Sequence, residues 1–341
     1  MNTKTYGIIG LLILGSITVF SLYNDSSAPE SAETVLLKIG LVGALPGKEL
    51  GVSIKEGYLD DELAKVNARY EIITSTGAGN PIAEFLGSKS IDISDSGDVP
   101  ILHTIGAGID VEIIAIKPWG GSRNSIVVLN GSGIKSVKDL KGKKVAGGSG
   151  GGNAHLFSWY IVEKYGLSPK NDVTWVNLES ADAVAALLSK QVDAAVIGTT
   201  TIAKYEKEGS VEILFEVSED PEWPGQDIHV VRREYGIKNP GVVTAFLKAQ
   251  IRAQEWIKDH PDEYLEFQAN TSKISVNALK RQFPGSEFIQ SFSLTQKEID
   301  KLNRQKANLI KIGIHTTGDF DVASRVNRTY LEAALKDISK R

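Results

Sequence analysis

Short turns that combine glycine with hydroxyl side chains are the parts of this chain best suited to chemistry, and each precedes a predicted helix. One turn contains Ser96 and Gly97, and the helix after it begins at Asp98. The first N–H groups of a helix lack partners inside the helix and carry partial positive charge, so they can hold an anion or a polar group. Asp98 has an alternative role, because Asp is also a favoured helix cap. The pattern predicts non-covalent capture of a small anionic or polar molecule.

The turn over residues 147–155 is the most glycine-rich in the chain. Five glycines and Ser149 precede a helix that is predicted from Asn153 to Tyr165. The backbone amides of such a turn can form a nest for an oxyanion, and His155 then contacts either the ligand or the start of the helix. The P-loop pattern is excluded because no Gly-Lys-Ser or Gly-Lys-Thr ends the turn. A dinucleotide fingerprint with Glu179 as its acidic residue is the alternative, which an exported chain gives little reason to expect.

Two further turns follow predicted strands. Residues 43–47 are Gly-Ala-Leu-Pro-Gly, and small residues of this kind allow backbone amides to approach a ligand closely. A hairpin-type loop has a similar composition. Thr199, Thr200 and Thr201 place three hydroxyl groups directly after a strand. These hydroxyls suit an oxyanion or a polyol, but Thr is also common at helix caps.

Patterns of catalytic or metal-binding residues are not found. The chain has no cysteine, so it has no disulfide, no thiolate metal ligand and no thiol for a lipid anchor. Its five histidines show none of the i, i+4 pairing of a zinc enzyme. Residues 147–151 match the letters Gly-x-Ser-x-Gly, but no Asp-then-His order supports a hydrolase. We therefore expect no catalytic residue, no metal and no cofactor.

The elements that must position these turns alternate between short β-branched runs and amphipathic runs from Val35 onward. This alternation predicts an α/β fold with mostly parallel sheets and helices on both faces. A second unit of the same style is predicted after residue 124, with strands at 173–177, 194–197 and 229–232, and helical periods dominate after Pro240. With 341 residues and 42% hydrophobic content, the chain is long enough for two lobes, each with its own core.

The termini and the charge restrict location and partners. An apolar run from Tyr6 to Tyr23 behind Lys4 predicts export, either as a cleaved signal or as a retained anchor, and a polar spacer follows it. The net charge is −4 and basic residues are scattered, so no nucleic-acid partner is expected. Arg123, Arg232 and Arg233 are the basic candidates for an anion site, and the sequence does not orient them.

Three segments resemble the substrate-binding proteins of importers for aliphatic sulfonates, taurine and nitrate, a group related to thiamine-precursor binders. They are FLGSKSIDISDSGDVPILHTIGAGIDVEIIA, IKSVKDLKGKKVAGGSGGGNAHLF and LLSKQVDAAVIGTTTIAKYE, and the similarity runs from about Val35 to at least Tyr264. The resemblance implies a periplasmic-binding-protein fold of the second type, in which two lobes close on the ligand. It implies ligand contacts at Gly43, Ala44, Leu45, Ser96, Gly97, Asp98, Ser149, Gly151, Asn153, Ala154, His155, Thr199 and Thr200.

The same resemblance implies a monomer outside the cytoplasm, in the periplasm or on the outer face of the membrane, that delivers a small molecule to an ABC permease. The predicted domains are an export segment with linker at 1–34, the first lobe at 35–120, the second lobe at 121–230, and a helical return to the first lobe at 231–341. The alternatives are a heterocycle-binding or thiamine-precursor synthesis protein of the same fold, and a membrane-anchored ligand sensor.

Overall fold

The strands form two separate sheets. The computed structural model describes residues 19–20, 33–42, 48–75, 81–117, 124–147, 153–178, 180–198, 201–202, 205, 208–217, 220, 223, 225–273, 275–282, 287–313 and 320–339. In these ranges the strands are β1 Val19–Phe20, β2 Val35–Val42, β3 Ala68–Ser75, β4 Ile93–Gly97, β5 Val111–Lys117, β6 Asn124–Leu129, β7 Lys143–Gly147, β8 Val173–Asn177, β9 Ala194–Gly198, β10 Val211–Glu216 and β11 Asp227–Arg232. The larger sheet has the order β1-β3-β2-β4-β11-β5 and the smaller sheet has the order β10-β6-β9-β7-β8.

Both sheets are mixed. In the larger sheet β2 is parallel to β3 and β4, while β11 is antiparallel to β4 and β5. In the smaller sheet β7 is parallel to β8 and β9, while β6 is antiparallel to β9 and β10. The predicted α/β fold with two mixed sheets is confirmed. Parallel pairing is less dominant than expected because β6 and β11 enter their sheets directly from the other sheet, without the helical crossover that makes neighbours parallel.

The prediction that residues 229–232 complete the second unit is wrong. They belong to β11, which lies between β4 and β5 in the larger sheet. The chain crosses between the sheets twice, from β5 to β6 and from β10 to β11. On the second crossing Trp223 packs against the cores of both sheets. The domain boundaries at 35–120, 121–230 and 231–341 remain predictions.

The helices of the described residues cover the faces of these sheets. They are α1 Lys48–Lys55, α2 Tyr58–Ala64, α3 Pro81–Gly87, α4 Asp98–Gly106, α5 Asn153–Lys164, α6 Ser180–Leu188, α7 Arg233–Lys238, α8 Pro240–Asp259, α9 Pro261–Ser272, α10 Val276–Gln282, α11 Gln296–Ile312 and α12 Thr329–Ile338. Among these described residues, no helix is long and apolar enough to cross a membrane. The apolar N-terminal run lies outside the described residues except for β1, which pairs with Ile72 and Ile73 of β3.

One predicted helix is divided. The apolar period over residues 53–66 predicts a single helix, but the structure has α1 and α2 with a break at Gly57. Gly57 has a φ of 73°, a left-handed conformation that glycine adopts without steric cost. A period of apolar residues continues through such a break, so periodicity alone does not reveal it.

The smaller sheet buries a different set of side chains on each face. Ile126 and Val128 of β6 pack in one cluster with Val145, whereas Val127 packs in a second cluster with Ala195. Successive side chains of a strand point to opposite faces, so both faces of this sheet are covered. These two clusters are distinct from the large cluster of the larger sheet, which also takes in Leu156 of α5.

Candidate functional site

The carboxyl ends of β4 and β5 meet at Asp227, the first residue of the antiparallel strand between them. The Cα atom of Asp227 is in register with Gly97 on one side and with Lys117 on the other. Strand β2 runs parallel to β4 and ends at the same edge, and Lys48 begins α1 beyond it. Ligands of open α/β sheets bind outside the carboxyl ends of the strands. This edge is therefore the candidate site of the larger lobe.

Charged side chains gather on one face of this edge. Asp227 and His229 share a face because side chains alternate along a strand, and their register partners Lys117 and Asp95 lie on the same face. The five residues Lys48, Glu49, Asp95, Lys117 and Asp227 are called the charge cluster below. Most of its side chains are buried, while Lys48 is 44% exposed at the mouth.

Two lysines of the charge cluster form ion pairs. The Nζ of Lys48 lies 2.6 Å from Oδ2 of Asp227 and 4.0 Å from Oδ2 of Asp95. Lys117 donates a hydrogen bond to Glu49, and both side chains are buried. Lys48 and Asp227 are 179 residues apart in sequence, so the fold alone brings them together.

The ionisation of these groups reflects competition between burial and charge. Burial opposes the charge of Lys48, but the carboxylates of Asp227 and Asp95 raise the pKa of this lysine above its usual value. Burial also opposes the ionisation of Asp95, yet the positive charge of Lys48 lowers the pKa of this carboxyl. Burial raises the pKa of Asp227 despite the opposing field of Lys48, and the charge of Asp95 raises it further. Lys48 therefore stays charged and stabilises the ionised form of Asp95.

Asp98 is the first residue of α4, and Gly97 before it occupies the N-cap position without a side-chain capping bond. Its Oδ1 accepts a hydrogen bond of 2.8 Å from the N–H of Val99, and its own N–H donates to the carbonyl of Gln226 at 3.0 Å. The third helical residue is Pro100, which has no N–H. Burial raises the pKa of Asp98 to about 7, although hydrogen bonds from Gln305 and Val99 oppose the shift. The N–H groups of Asp98 and Val99 are therefore already engaged, and the N-cap role that the sequence offered for Asp98 is wrong, because Gly97 holds that position.

The smaller lobe presents the beginning of α5. Asn153 is its first residue, and the backbone there is described although the Asn153 side chain is not. Ala154 and His155 are half-buried, and burial lowers the pKa of His155. The His155 ring contacts Trp159 edge-on at a centroid distance of 5.3 Å. A neutral imidazole therefore lies near the N-terminus of α5 at neutral pH.

Helix α11 links the two candidate regions. Gln305 donates a hydrogen bond of 3.0 Å to Oδ2 of Asp98. Three residues further along α11, Asn308 lines a groove of about 210 Å³ that is shared with Trp159 of α5. At the end of this groove, Lys311 pairs with Glu163 of α5 at 2.5 Å. One helix thus touches the start of α4 in the larger lobe and the body of α5 in the smaller lobe.

The structure locates only part of the predicted site. Ser96 and Gly97 end β4 and Asp98 begins α4, while Ala154 and His155 lie in the first turn of α5. The predicted contacts that lie outside the described residues are Gly43, Ala44, Leu45, Ser149, Gly151, Thr199 and Thr200. The ligand contacts of all these residues stay predictions.

Two of the candidate arginines lie at the other end of β11. Arg232 pairs with Asp92 at 2.6 Å, and Arg233 pairs with Glu112 at 2.9 Å. Since β11 is antiparallel to β4 and β5, its last residues face the amino ends of those strands. Arg232 and Arg233 are therefore excluded from the candidate site, and Arg123 lies outside the described residues.

Neither the charge cluster nor Gln226 was among the site residues predicted from the sequence. Gln226 is fully buried beside Asp227, and neither its carboxamide oxygen nor its nitrogen has a hydrogen-bond partner in the described part of the chain. A usable signal was present, because Gln226 and Asp227 directly precede strand residues 228–231, of which Ile228, Val230 and Val231 are apolar. Buried polar groups need hydrogen-bond partners, so two of them at the start of a buried strand mark this edge of the sheet for closer inspection.

Comparison with known proteins decides the family. Residues 78–264 match the family model described as NMT1/THI5 like, which is more than half of the chain. The chain belongs to this family. A Bacillus subtilis (strain 168) relative, provisionally named an aliphatic sulfonates-binding protein, is 29% identical over 340 residues and covers 97% of this chain and 98% of its own length.

Solved structures share the fold of this NMT1/THI5-like protein. The periplasmic aliphatic sulphonate binding protein SsuA from Escherichia coli has a TM-score of 0.72 at 20% identity, covering 88% of this chain and 99% of its own. A desulfurization enzyme, DSZB, has a TM-score of 0.71 at 16% identity, covering 89% of this chain and 99% of its own. The periplasmic-binding-protein fold is thus confirmed, and the same fold is found in a binding protein and in an enzyme.

Proposed function

We propose that this chain is the extracytoplasmic solute-binding protein of an ABC importer and that it captures a small organic anion, such as an alkanesulfonate or taurine. The observation that carries the proposal is the placement of α4 and α5. In the larger lobe α4 begins directly after β4, in the smaller lobe α5 begins at Asn153 after β7 has ended at Gly147, and α11 touches both helices. The full-length similarity to a relative named for aliphatic sulfonates supports the same assignment.

Capture needs two sets of groups that converge when the lobes approach each other. In the larger lobe we assign contacts to Ser96 and to the charge cluster, and in the smaller lobe to Ala154 and His155 at the start of α5. The other predicted contacts are Gly43, Ala44, Leu45, Gly97, Asp98, Ser149, Gly151, Asn153, Thr199 and Thr200. Closure removes water from the ligand, so each hydrogen bond and each charge in the site acts more strongly.

Delivery follows from lobe closure. A closed, ligand-bound protein has a different surface from the open one, and a membrane permease can distinguish the two states. The partners in this proposal are the ligand and the permease, the chain acts as a monomer, and it reaches its location by a cleaved signal or a retained N-terminal anchor. No bond of the ligand is made or broken, so no catalytic residue is required.

An isothermal titration tests the proposal. Residues 33–341 are titrated with ethanesulfonate, taurine, nitrate, propionate and a pyrimidine precursor. We expect binding of at least one sulfonate. In a thermal-unfolding measurement of the same protein, a ligand at about 100 times its dissociation constant should stabilise the fold by about 2.7 kcal/mol. Binding of the pyrimidine compound alone would overturn the anion assignment while the fold assignment stands.

Two variants locate the site in the same experiment. Ser96→Ala and Ser149→Ala should each weaken sulfonate binding. Ser88→Ala is the matched control, since Ser88 is exposed at the end of α3 and bonds only to Phe85 and Ser90. Equal affinity of all three variants and the wild type would place the ligand elsewhere.

A further inference from the structure

Asp98 is a buried carboxylic acid at the edge where the larger lobe is proposed to receive an anion. It is 1% exposed and directly follows Ser96 and Gly97 at the end of β4. Its two oxygens accept hydrogen bonds from the backbone of Val99 at 2.8 Å and from the side chain of Gln305 at 3.0 Å. Both donors are neutral amide groups, and no cation of the described chain forms an ion pair with Asp98. A buried carboxylate that has only neutral donors is poorly stabilised in its ionised form.

The same edge of the sheet carries an excess of negative charge among the described residues. The charge cluster holds three carboxylates against the two ammonium groups of Lys48 and Lys117. Asp98 adds a fourth carboxylate, and even a charged His229, in register with the cluster on β11, leaves the negative groups in the majority. An anion that arrives at this edge is therefore repelled unless one of the carboxylates becomes neutral.

The charges around Asp98 make it the group that can become neutral. Its N–H donates to the carbonyl of Gln226 at 3.0 Å, and the negative charge of the next residue, Asp227, acts against the ionisation of Asp98. The other titratable or charged groups on α3, on α4, on the face of β11 opposite Asp227 and on the Gln305 side of α11 are Glu84, His103, Arg232, Glu298 and Lys301. None of them forms an ion pair with Asp98 in the described chain.

The ionisation of Asp98 is balanced near neutral pH. Burial raises its pKa to about 7, and the charge of Asp227 also raises it, while the hydrogen bonds from Gln305 and Val99 oppose the shift. An anion bound beside Asp98 disfavours its ionised form and so raises this pKa further. By linkage, the protonated form of Asp98 then binds the anion more tightly than the ionised form does.

We propose that capture of an anion by the larger lobe is coupled to the uptake of a proton by the carboxylate of Asp98. The proton comes from solvent, binds to a carboxylate oxygen of Asp98 and returns to solvent when the anion leaves, and no other bond changes. This inference rests on the proposed capture function and adds a regulation of the same site. The protein retains its ligand in mildly acidic surroundings and releases it more readily as the pH rises.

The pH dependence of anion affinity tests the coupling. The full-length protein, in a mild detergent, is titrated calorimetrically with ethanesulfonate and with nitrate, which keep their own charge throughout the range from pH 5 to pH 9. The dissociation constant should rise about fivefold or more between pH 6 and pH 8, because Asp98 of the free protein loses its proton over this range. An unchanged or falling dissociation constant overturns the inference and leaves the capture function standing. Failure of both anions to bind at every pH overturns the inference together with the anion part of the proposed function.

Buffers that differ in their ionisation enthalpy measure the proton itself. At pH 7 the binding enthalpies in phosphate and in Tris should differ by an amount that corresponds to about half a proton taken up per anion bound, since Asp98 is about half protonated before binding. Equal enthalpies, or a difference that corresponds to proton release, overturn the inference.

The variant Asp98→Asn assigns the proton to this residue. Asn is neutral at every pH, so the variant should lose both the pH dependence and the proton uptake, and at pH 8 it should bind the anion about fivefold or more tightly than the wild type does. Asp262→Asn is the matched control, because Asp262 is an exposed carboxylate on α9, and it should keep the wild-type profile. Proton uptake that persists in Asp98→Asn, or weaker binding than the wild type at pH 8, overturns the inference.

Gln305→Met gives a second assignment that does not depend on the folding of Asp98→Asn. The hydrogen bond from Gln305 to Oδ2 of Asp98 lowers the pKa of this carboxyl, so its removal raises that pKa. The fall in anion affinity should therefore occur at a higher pH in Gln305→Met than in the wild type. A profile that stays in place or moves to a lower pH overturns the inference.

Discussion

Lys117 at the end of β5 and Glu49 in the first turn of α1 form an ion pair in which the side chains are 5% and 3% exposed. The pair ties the larger sheet to the helix that follows β2, across 68 residues of sequence. Because Glu49 directly follows Lys48, the pair also holds the start of α1, where Lys48 lies, against the larger sheet. The candidate site of the larger lobe is therefore built on a buried charge pair.

Lys117→Met should lower the free energy of unfolding by about 3–5 kcal/mol, because it leaves Glu49 charged, buried and unpaired. The double variant with Glu49→Gln should recover part of this loss. Denaturant unfolding of residues 33–341 measures both. The control is Lys311→Met, which breaks the exposed pair with Glu163 and should cost less than about 1 kcal/mol. Similar losses for Lys117→Met and Lys311→Met would contradict the buried pair.

Asp98 should make stability decrease as the pH rises from about 4 to about 7. Its pKa is raised from 3.8 to about 7 by burial, so between these values the folded state holds a proton that the unfolded state has lost. Stability from this group is complete below pH 4 and is lost as the pH approaches 7. The total effect is at most about 4 kcal/mol, from about 1.4 kcal/mol for each pKa unit.

The measurement is the unfolding free energy of the wild type and of Asp98→Asn at several pH values between 4 and 8. The difference between the two proteins isolates the Asp98 contribution from other titrating groups. Asp300→Asn, at an exposed position in α11, is the control. Parallel curves for the wild type and Asp98→Asn would show that Asp98 is ionised throughout.

Gly40→Ala should destabilise the larger lobe by about 1–3 kcal/mol through overpacking. A Cβ atom at Gly40 would overlap Cδ1 of Ile91, whose side chain is fully buried. The double variant with Ile91→Val should restore part of the loss, which denaturant unfolding would detect. The control is Gly241→Ala, in the first turn of α8. Its added Cβ atom would lie 3.8 Å from Val66, at an ordinary contact distance. That change should be neutral or stabilising, because Ala favours helix more than Gly does.

Thr295→Ala should cost about 1 kcal/mol by removing the capping box of α11. Thr295 donates its hydroxyl to Glu298, and Glu298 also accepts the N–H of Thr295 at 3.1 Å. Because α11 carries Gln305, fraying of this helix should also weaken its contact with Asp98. Thr244→Ala in the interior of α8 serves as the control, where the hydroxyl bonds only within its own helix. Thermal unfolding measures the stability of both variants. Equal losses of stability for Thr295→Ala and Thr244→Ala would contradict a stabilising role of the capping box.

Secondary structure followed closely from local patterns. The predicted strands at 173–177 and 194–197 agree with β8 and β9, and the predicted helices from Asp98 and Asn153 begin where α4 and α5 begin. Alternation of apolar residues and helix caps acts over a few residues, so a single sequence is enough to reveal it. The three segments that resemble known substrate-binding proteins are each contiguous in sequence. They therefore indicated the fold class without any knowledge of tertiary contacts.

The sequence by itself therefore determined the alternation of strands and helices, the two-lobed fold and the turns that precede α4 and α5. Only the tertiary structure decided that β11 belongs to the larger sheet and that Asp227 lies between Gly97 and Lys117. It also decided that Lys48 reaches Asp227 across 179 residues. Such contacts depend on which strands become neighbours, and that choice is made by the packing of the whole core rather than by any local pattern.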